Sequence, residues 1–396
     1  MGPAVTFPEE FLWGTATSAY QIEGGNTNAD WSRYEHAPGT RAVEPCGDAC
    51  DSWHRYEEDL DLVQDFGLNA FRFSIEWARV EPRHGTFSTE AIDHYRNVIE
   101  ACLTRNIVPV VTLHHFTLPK WVADEGGFES PEIVSWMADY ARVISREYGD
   151  MIGVACTINE PNIVAVYGYL YGIFPPQVRS WERFVDVNAT MRECHSAMRD
   201  VLKEGPGDFP VGLPLSMQEW EALPGYEHRM ESFREEMENK YLEAVRDDDY
   251  LGVQCYTKLL IGKDGVVTHP EGETTDMGYL FWPQCVEYTV RRAIGLAEVP
   301  VIVTENGIGT AHDEQRIRYV GEALRGVHAL LDDGLDVRGY FQWSLLDNFE
   351  WALGYVPRFG LVTVDRTSFA RTAKPSAAWL SSVAAANALP ARPSAP

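Results

Sequence analysis

Two glutamates offer the chemistry that stands out in this sequence. Glu160 closes the run Cys156-Thr157-Ile158-Asn159-Glu160, which follows the apolar stretch 151–155 and stops at Pro161. Glu305 closes Val301-Ile302-Val303-Thr304-Glu305, followed by Asn306-Gly307. Each run reads as a buried strand, and Pro161 should end the first because proline cannot donate to a sheet ladder. In parallel α/β architectures the carboxyl ends of strands are where chemistry is done. Two carboxyls delivered there suit the cleavage of a sugar acetal: one protonates the leaving oxygen, the other stabilises or attacks the anomeric carbon. A lone glutamate after a strand is more often a solvated loop residue; the matched placement of two favours a shared site.

For such work the two pKa values must be pushed apart. Arg72 lies in the apolar run Asn69-Ala70-Phe71-Arg72-Phe73-Ser74-Ile75-Glu76-Trp77, where a guanidinium is costly unless a carboxylate pairs with it. It could hold Glu305 ionised, or act as an internal ion pair that stitches the strands. Tyr256 could donate a hydrogen bond to the same carboxylate. Glu160, beside neutral Asn159, is expected to stay protonated. Gln21, His115, Asn159, Glu350 and Trp351 all fall at strand ends or in the loops after them. A neutral His115 can donate to a hydroxyl, and Gln21 and Glu350 can each grip two. Trp343 and Trp351 are by type more often core residues, and their convergence with the others raises the odds of a sugar platform.

The elements that must position these groups alternate along the chain. Strands are expected at 11–18, 69–77, 107–113, 151–160, 210–215, 250–256, 299–307 and 337–344. Helices are expected near 52–66, 90–105, 132–148, 185–204, 226–246, 283–294, 313–332 and 376–386, from apolar residues at helical spacing. Eight buried strands, most followed by a helix, predict an α/β protein: a single-domain (β/α)8 TIM barrel over residues 1–388, with the active site at the C-terminal ends of the strands. A doubly wound open sheet is the rival, but the first strand is not followed by a Gly-rich phosphate turn. The Pro/Ala-rich tail 389–396 is expected to be disordered.

Composition narrows the function. The 396 residues carry 59 acidic against 33 basic side chains, net charge −26, so a nucleic-acid backbone or an anionic membrane would be repelled. Seven cysteines, odd in number and scattered, are not a disulfide framework and are expected reduced. The Cys46-x3-Cys50-x3-His54 spacing fits no standard metal site. No secretory leader or apolar run of membrane-spanning length is seen, and the cytoplasm is the expected location.

Taken in order, FLWGTATSAYQIEGG, FRFSIEWARVEP, VTLHHFTLP, CTINEPN, VTENGIG and GYFQWSLLDNFEWALGY…RFGLVTVD resemble glycoside hydrolase family 1, the β-glucosidase family, over nearly the whole chain, in a short form. The resemblance implies a (β/α)8 barrel, retention at the anomeric centre, no cofactor and a small-molecule β-glycoside as partner. It implies that Glu160 is the acid/base and Glu305 the nucleophile. Gln21, His115, Asn159, Glu350 and Trp351 match positions that hold glycone hydroxyls, and Trp343 matches the platform under the ring. Phe359 matches an aromatic lining the pocket, and Arg72 and Tyr256 match groups flanking the nucleophile. The expected activity is exo-acting hydrolysis of β-D-glucosides, extending to galactosides or fucosides; a transglycosidase using the same intermediate is the alternative. Glu350-Trp351 stands where the 6-phospho branch carries a phosphate cluster, which argues for unphosphorylated sugars. The chain departs from the family at Gln254-Cys255-Tyr256 and His114-His115-Phe116-Thr117, expected to alter aglycone contacts, and is shorter between about Lys203 and Tyr250. The sequence carries no reading of oligomeric state.

Overall fold

A computed structural model of the chain describes residues 5–269 and 271–390. Eight parallel strands close into a barrel: β1 (Leu12–Ala16), β2 (Ala70–Ser74), β3 (Val108–His114), β4 (Val154–Ile158), β5 (Val211–Ser216), β6 (Tyr250–Gln254), β7 (Val301–Asn306) and β8 (Val337–Trp343). They are hydrogen-bonded in chain order, and β8 returns to pair with β1 through Gly339↔Leu12 to Trp343↔Ala16. This is the (β/α)8 barrel the strand count predicts.

The strands are buried almost throughout because both faces are covered. Phe341 fills the lumen so tightly that a Cβ on Gly14 would lie 2.3 Å from its ring. Outside, the helix Ile133–Tyr148 shows why the periodicity was readable. Its buried Ile133, Met137, Tyr140, Ala141, Ile144 and Tyr148 fall on one face. Burying each larger apolar side chain stabilises the fold by roughly 1.5–3 kcal/mol.

Element ends differ from expectation where a cap decides. The helix expected from Val185 begins at Trp181, because the Ser180 hydroxyl accepts from the Arg183 N–H. The strand expected to run to Trp77 stops at Ser74, because the Glu76 side chain caps a short helix, Trp77–Val80. The first glutamate strand stops at Ile158, and Pro161 opens a helix that it suits by its fixed φ. Three short strands, Glu219–Ala222, Lys258–Gly262 and Gly265–Val267, form an accessory sheet that the sequence reading did not anticipate. They come from the connections after β5 and β6.

The tail boundary needs correction. Ala388–Leu389 pairs with Val5–Thr6 at the barrel's amino-terminal side, and Leu389 is buried. Residues 391–396 lie outside the described residues. Among the described residues, no helix is long and apolar enough to cross a membrane. All seven cysteines are free and buried. Cys46 and Cys50 point their thiols at the carbonyls of Tyr20 and Asp347.

Candidate active site

Glu305 sits in β7, opposite Gln254 of β6. Its carboxylate is gripped on both oxygens. Oε1 accepts from Arg72 Nη1 at 2.5 Å and from Gln254 Nε2 at 2.9 Å, and Oε2 accepts from the Tyr256 hydroxyl at 2.7 Å. Arg72, on β2, has no solvent exposure. Its other bonds go to Asn159 Oδ1 at 2.5 Å, Thr112 Oγ1 at 3.0 Å and the Thr304 carbonyl at 3.5 Å. The guanidinium is therefore both an internal ion pair and a flank of the nucleophile candidate. Such a fork could not be supplied by lysine.

Glu160 lies two residues beyond β4, and its N–H bonds to the Pro214 carbonyl on β5. The same Gln254 amide reaches Asn159 Oδ1 at 2.9 Å, so one side chain ties the neighbour of Glu160 to Glu305. The two glutamates thus open on one end of the barrel. Burial, reinforced by the negative charge of Glu305, pushes the Glu160 carboxyl well above the usual range, and only Ser216 and the more distant Arg72 oppose this. Burial also raises Glu305, but Arg72, Tyr256 and Gln254 all pull it down. Proton affinity is therefore greater at Glu160, the separation that acid and nucleophile require.

The other expected residues gather around this pair. Asn159 gives its Oδ1 to two donors, which fixes the amide so that Nδ2 faces His115 Nε2 at 3.1 Å. His115 is buried, and burial and Arg72 depress its pKa well below normal, so the ring is neutral. With Nε2 accepting, the proton belongs on Nδ1, which is buried without a partner. That N–H is a ready donor for a ligand hydroxyl. The imidazole lies nearly parallel to Trp343 and Trp351, with centroids 6.1 and 6.2 Å away. Trp351 also stacks on Tyr20 at 5.7 Å.

Gln21 is completely buried and donates to Asn348 Oδ1 and the Phe349 carbonyl, while Ser18 donates to its Oε1. Its amide is held by protein contacts, so it anchors the loop that carries Glu350 and Trp351. Glu350 Oε2 is shielded from solvent without a partner, and burial and then Glu305 raise its pKa to about 8. Phe359 meets Tyr256 edge-on at 5.9 Å. Three residues of these loops are in left-handed backbone: Phe116 (φ 71°), Glu160 (φ 43°) and Trp351 (φ 51°). Such torsions concentrate where surrounding structure holds a functional side chain in place.

The structure puts Arg72, Tyr256, Asn159 and His115 in one hydrogen-bonded or ring-packed group with Glu305, Trp343 and Trp351, and places Gln21 behind the loop that carries Glu350. It adds Gln254, which the sequence reading assigned to aglycone contacts but which instead binds the Glu305 carboxylate. It also adds Thr112 and Ser216, the first under Arg72 and the second beside Glu160. Their only sequence signal was polarity at the end of an apolar strand.

Comparison with known proteins places the chain in a family. The family model described as glycosyl hydrolase family 1 matches residues 4–253 and 239–389. The chain is 32% identical to beta-glucosidase A of Thermotoga maritima, over 97% of this chain and 98% of that protein. It is 33% identical to the coniferin beta-glucosidase of Pinus contorta, over 94% and 91%. The solved structure of a beta-glycosidase, BGL167, superposes with TM-score 0.91 at 40% identity, covering 98% of this chain and 99% of that one. With a closed parallel barrel, paired carboxyls at its strand ends and a match along nearly all its length, the chain belongs to glycosyl hydrolase family 1 and is a glycoside hydrolase.

Proposed function

We propose that this enzyme is a retaining, exo-acting β-glycosidase that hydrolyses unphosphorylated β-D-glucosides, and that Glu305 is its nucleophile and Glu160 its acid/base. The observation that carries the reading is the unequal treatment of the two carboxyls. Glu305 receives three hydrogen bonds, one of them from a buried guanidinium, and Glu160 receives no comparable cation.

Ionised Glu305 attacks the anomeric carbon while Glu160 gives its proton to the departing glycosidic oxygen. The glycosyl-enzyme ester neutralises Glu305, which removes the charge that raised Glu160. Glu160 then ionises more readily and can take a proton from water, which releases the sugar with its original configuration. Tyr256 and Arg72 keep the Glu305 oxygens aligned through both steps. Asn159 Nδ2 and the Nδ1–H of His115 present donors to sugar hydroxyls, and such contacts accelerate the reaction where they tighten in the transition state. Glu350 accepts from hydroxyls at the far end of the sugar. The relatives' names, beta-glucosidase A and coniferin beta-glucosidase, support a glucoside substrate. The same pocket is expected to accept β-D-galactosides and fucosides more weakly. Seven free cysteines accord with a cytoplasmic enzyme.

Azide rescue separates the two roles. With Glu305→Gly, azide should restore turnover of an activated aryl β-glucoside and yield the α-glycosyl azide. With Glu160→Ala, it should yield the β-azide. The same product from both variants would refute the assignment. Adding an alcohol acceptor to the wild type measures how the intermediate divides between water and transglycosylation.

A further inference from the structure

A hollow of about 280 Å³ lies at the same end of the barrel as the proposed sugar site, lined by Leu170, Tyr171, Trp181, Arg229, Ser232 and Phe233. It is built from connections at the carboxyl ends of the strands. Leu170 and Tyr171 follow the short helix that Glu160 begins, and Arg229, Ser232 and Phe233 lie on the helix Glu227–Arg234 after β5. The hairpin after β6 closes in from a third side, because a Cβ on Gly265 would lie 3.2 Å from the Tyr171 hydroxyl.

Packed aromatic rings link the hollow to the proposed catalytic pair. The Tyr171 ring is 6.3 Å from that of Tyr167. Tyr167 in turn feels the charges of Glu160 and Glu350, and its ring lies 5.0 Å from Phe174, which packs against Trp351. A chain of rings therefore leads from the sugar site to the hollow.

Its chemistry is mixed. Trp181 is 44% exposed and packs on Phe233 with centroids 5.7 Å apart, so a planar apolar surface faces solvent. Arg229 is exposed and makes no ion pair among the described residues; its charge acts on the Tyr171 hydroxyl. What sets this cation apart is its place in the lining of the hollow, beside the rings of Tyr171, Trp181 and Phe233. Flat rings with a guanidinium at their edge fit a planar aromatic group that carries a carboxylate, held by stacking and a charge-assisted hydrogen bond.

We propose that the hollow is an outer aglycone subsite in which Trp181 and Tyr171 stack an extended aryl group and Arg229 pairs with its carboxylate, so that the enzyme favours β-glucosides of aromatic acids. This selectivity rests on the glycosidase reading above.

The test compares each acid with its own methyl ester, which keeps the ring and removes the charge. Three aryl β-glucosides of increasing length serve: a 4-hydroxybenzoate, a 4-hydroxycinnamate and a 4′-hydroxybiphenyl-4-carboxylate, each as acid and ester. For the length that reaches Arg229, the wild type should cleave the acid with kcat/KM about tenfold above the ester. Arg229→Gln should remove that ratio, and Arg229→Lys should keep part of it. Trp181→Ala should lower acid and ester together. An acid-to-ester ratio at or below one for all three lengths overturns the proposal, as does a ratio that survives Arg229→Gln. If the wild type cleaves none of the esters nor phenyl β-D-glucoside, the failure lies in the glycosidase reading instead.

Discussion

Arg72→Met is the perturbation that most directly probes the site's electrostatics. Methionine roughly fills the space of the aliphatic stem and removes the charge. In the native site the guanidinium bonds Glu305 at 2.5 Å with both groups buried. Two unit charges about 4 Å apart interact by about 4 kcal/mol at an effective dielectric constant near 20. Loss of one partner of a buried ion pair costs a similar amount, about 3–5 kcal/mol. Without the cation, burial and the nearby carboxyls oppose ionisation of Glu305, with Tyr256 and Gln254 alone against them. Glu305, the proposed nucleophile, then binds its proton to higher pH, so the acid limb of the kcat/KM profile moves upward. At pH 6 the fall should be about 10²–10³-fold, with partial recovery as pH rises. The assay is the pH profile for an activated aryl β-glucoside, with circular dichroism to show that the variant is folded. Arg72→Lys should fall between, because it keeps charge but cannot reach both Glu305 and Asn159. A folded Arg72→Met enzyme whose acid limb stays in place would refute the claim that Arg72 keeps Glu305 ionised.

Two further outcomes follow from neighbouring groups. Gln254→Ala removes a donor shared by Asn159 and Glu305; a lost hydrogen bond to a charged group is worth about 1.5–3 kcal/mol, so kcat should drop about 10–100-fold, and an unchanged kcat would show the amide to be a spacer. Glu350 has its pKa raised by burial to about 8, so between its unfolded value and pH 8 the folded state holds the extra proton and stability is lost as pH rises. Glu350→Gln abolishes that component, and its melting temperature should gain on the wild type by a few degrees between pH 5 and pH 8, while sugar binding weakens. Glu76 and Asp30, raised by burial to about 8 and about 7, are common to both proteins and cancel in the comparison. A constant gap across that range would contradict the burial argument.

The barrel was legible because its helices bury single faces and its strands are apolar on both. Asp313–Asp332 runs over the residues expected, with Tyr319, Val320, Ala323, Leu324 and Val327 on its buried side. What escaped notice depended on contacts distant in sequence. Gln254 meets Asn159 across 95 residues and Glu305 across 51, and nothing local marks a buried amide as a ligand of a carboxylate. The strand Lys258–Gly262, central in the accessory sheet, lacks the alternation that would signal a half-buried strand. Leu389 looked like the start of a Pro/Ala-rich tail because its partner, Val5, lies at the other end of the chain. The proposed pair stood out because each glutamate closes an apolar run, Glu160 two residues beyond β4 and Glu305 near the end of β7. Their unequal proton affinity depends on Arg72, which the sequence shows only as an arginine where arginine is costly.

The left-handed torsion at Glu160 sets activity against robustness at a single residue. A side chain in that conformation costs the fold roughly 1–2 kcal/mol relative to glycine, and the acid buried there adds its own desolvation. Proline at 161 and the helix that follows hold the residue in that pose. Replacing it by glycine should therefore yield a tougher protein that has lost the proposed proton donor. Heat-resistance selection alone, applied without a screen for turnover, would drift toward this inactive form.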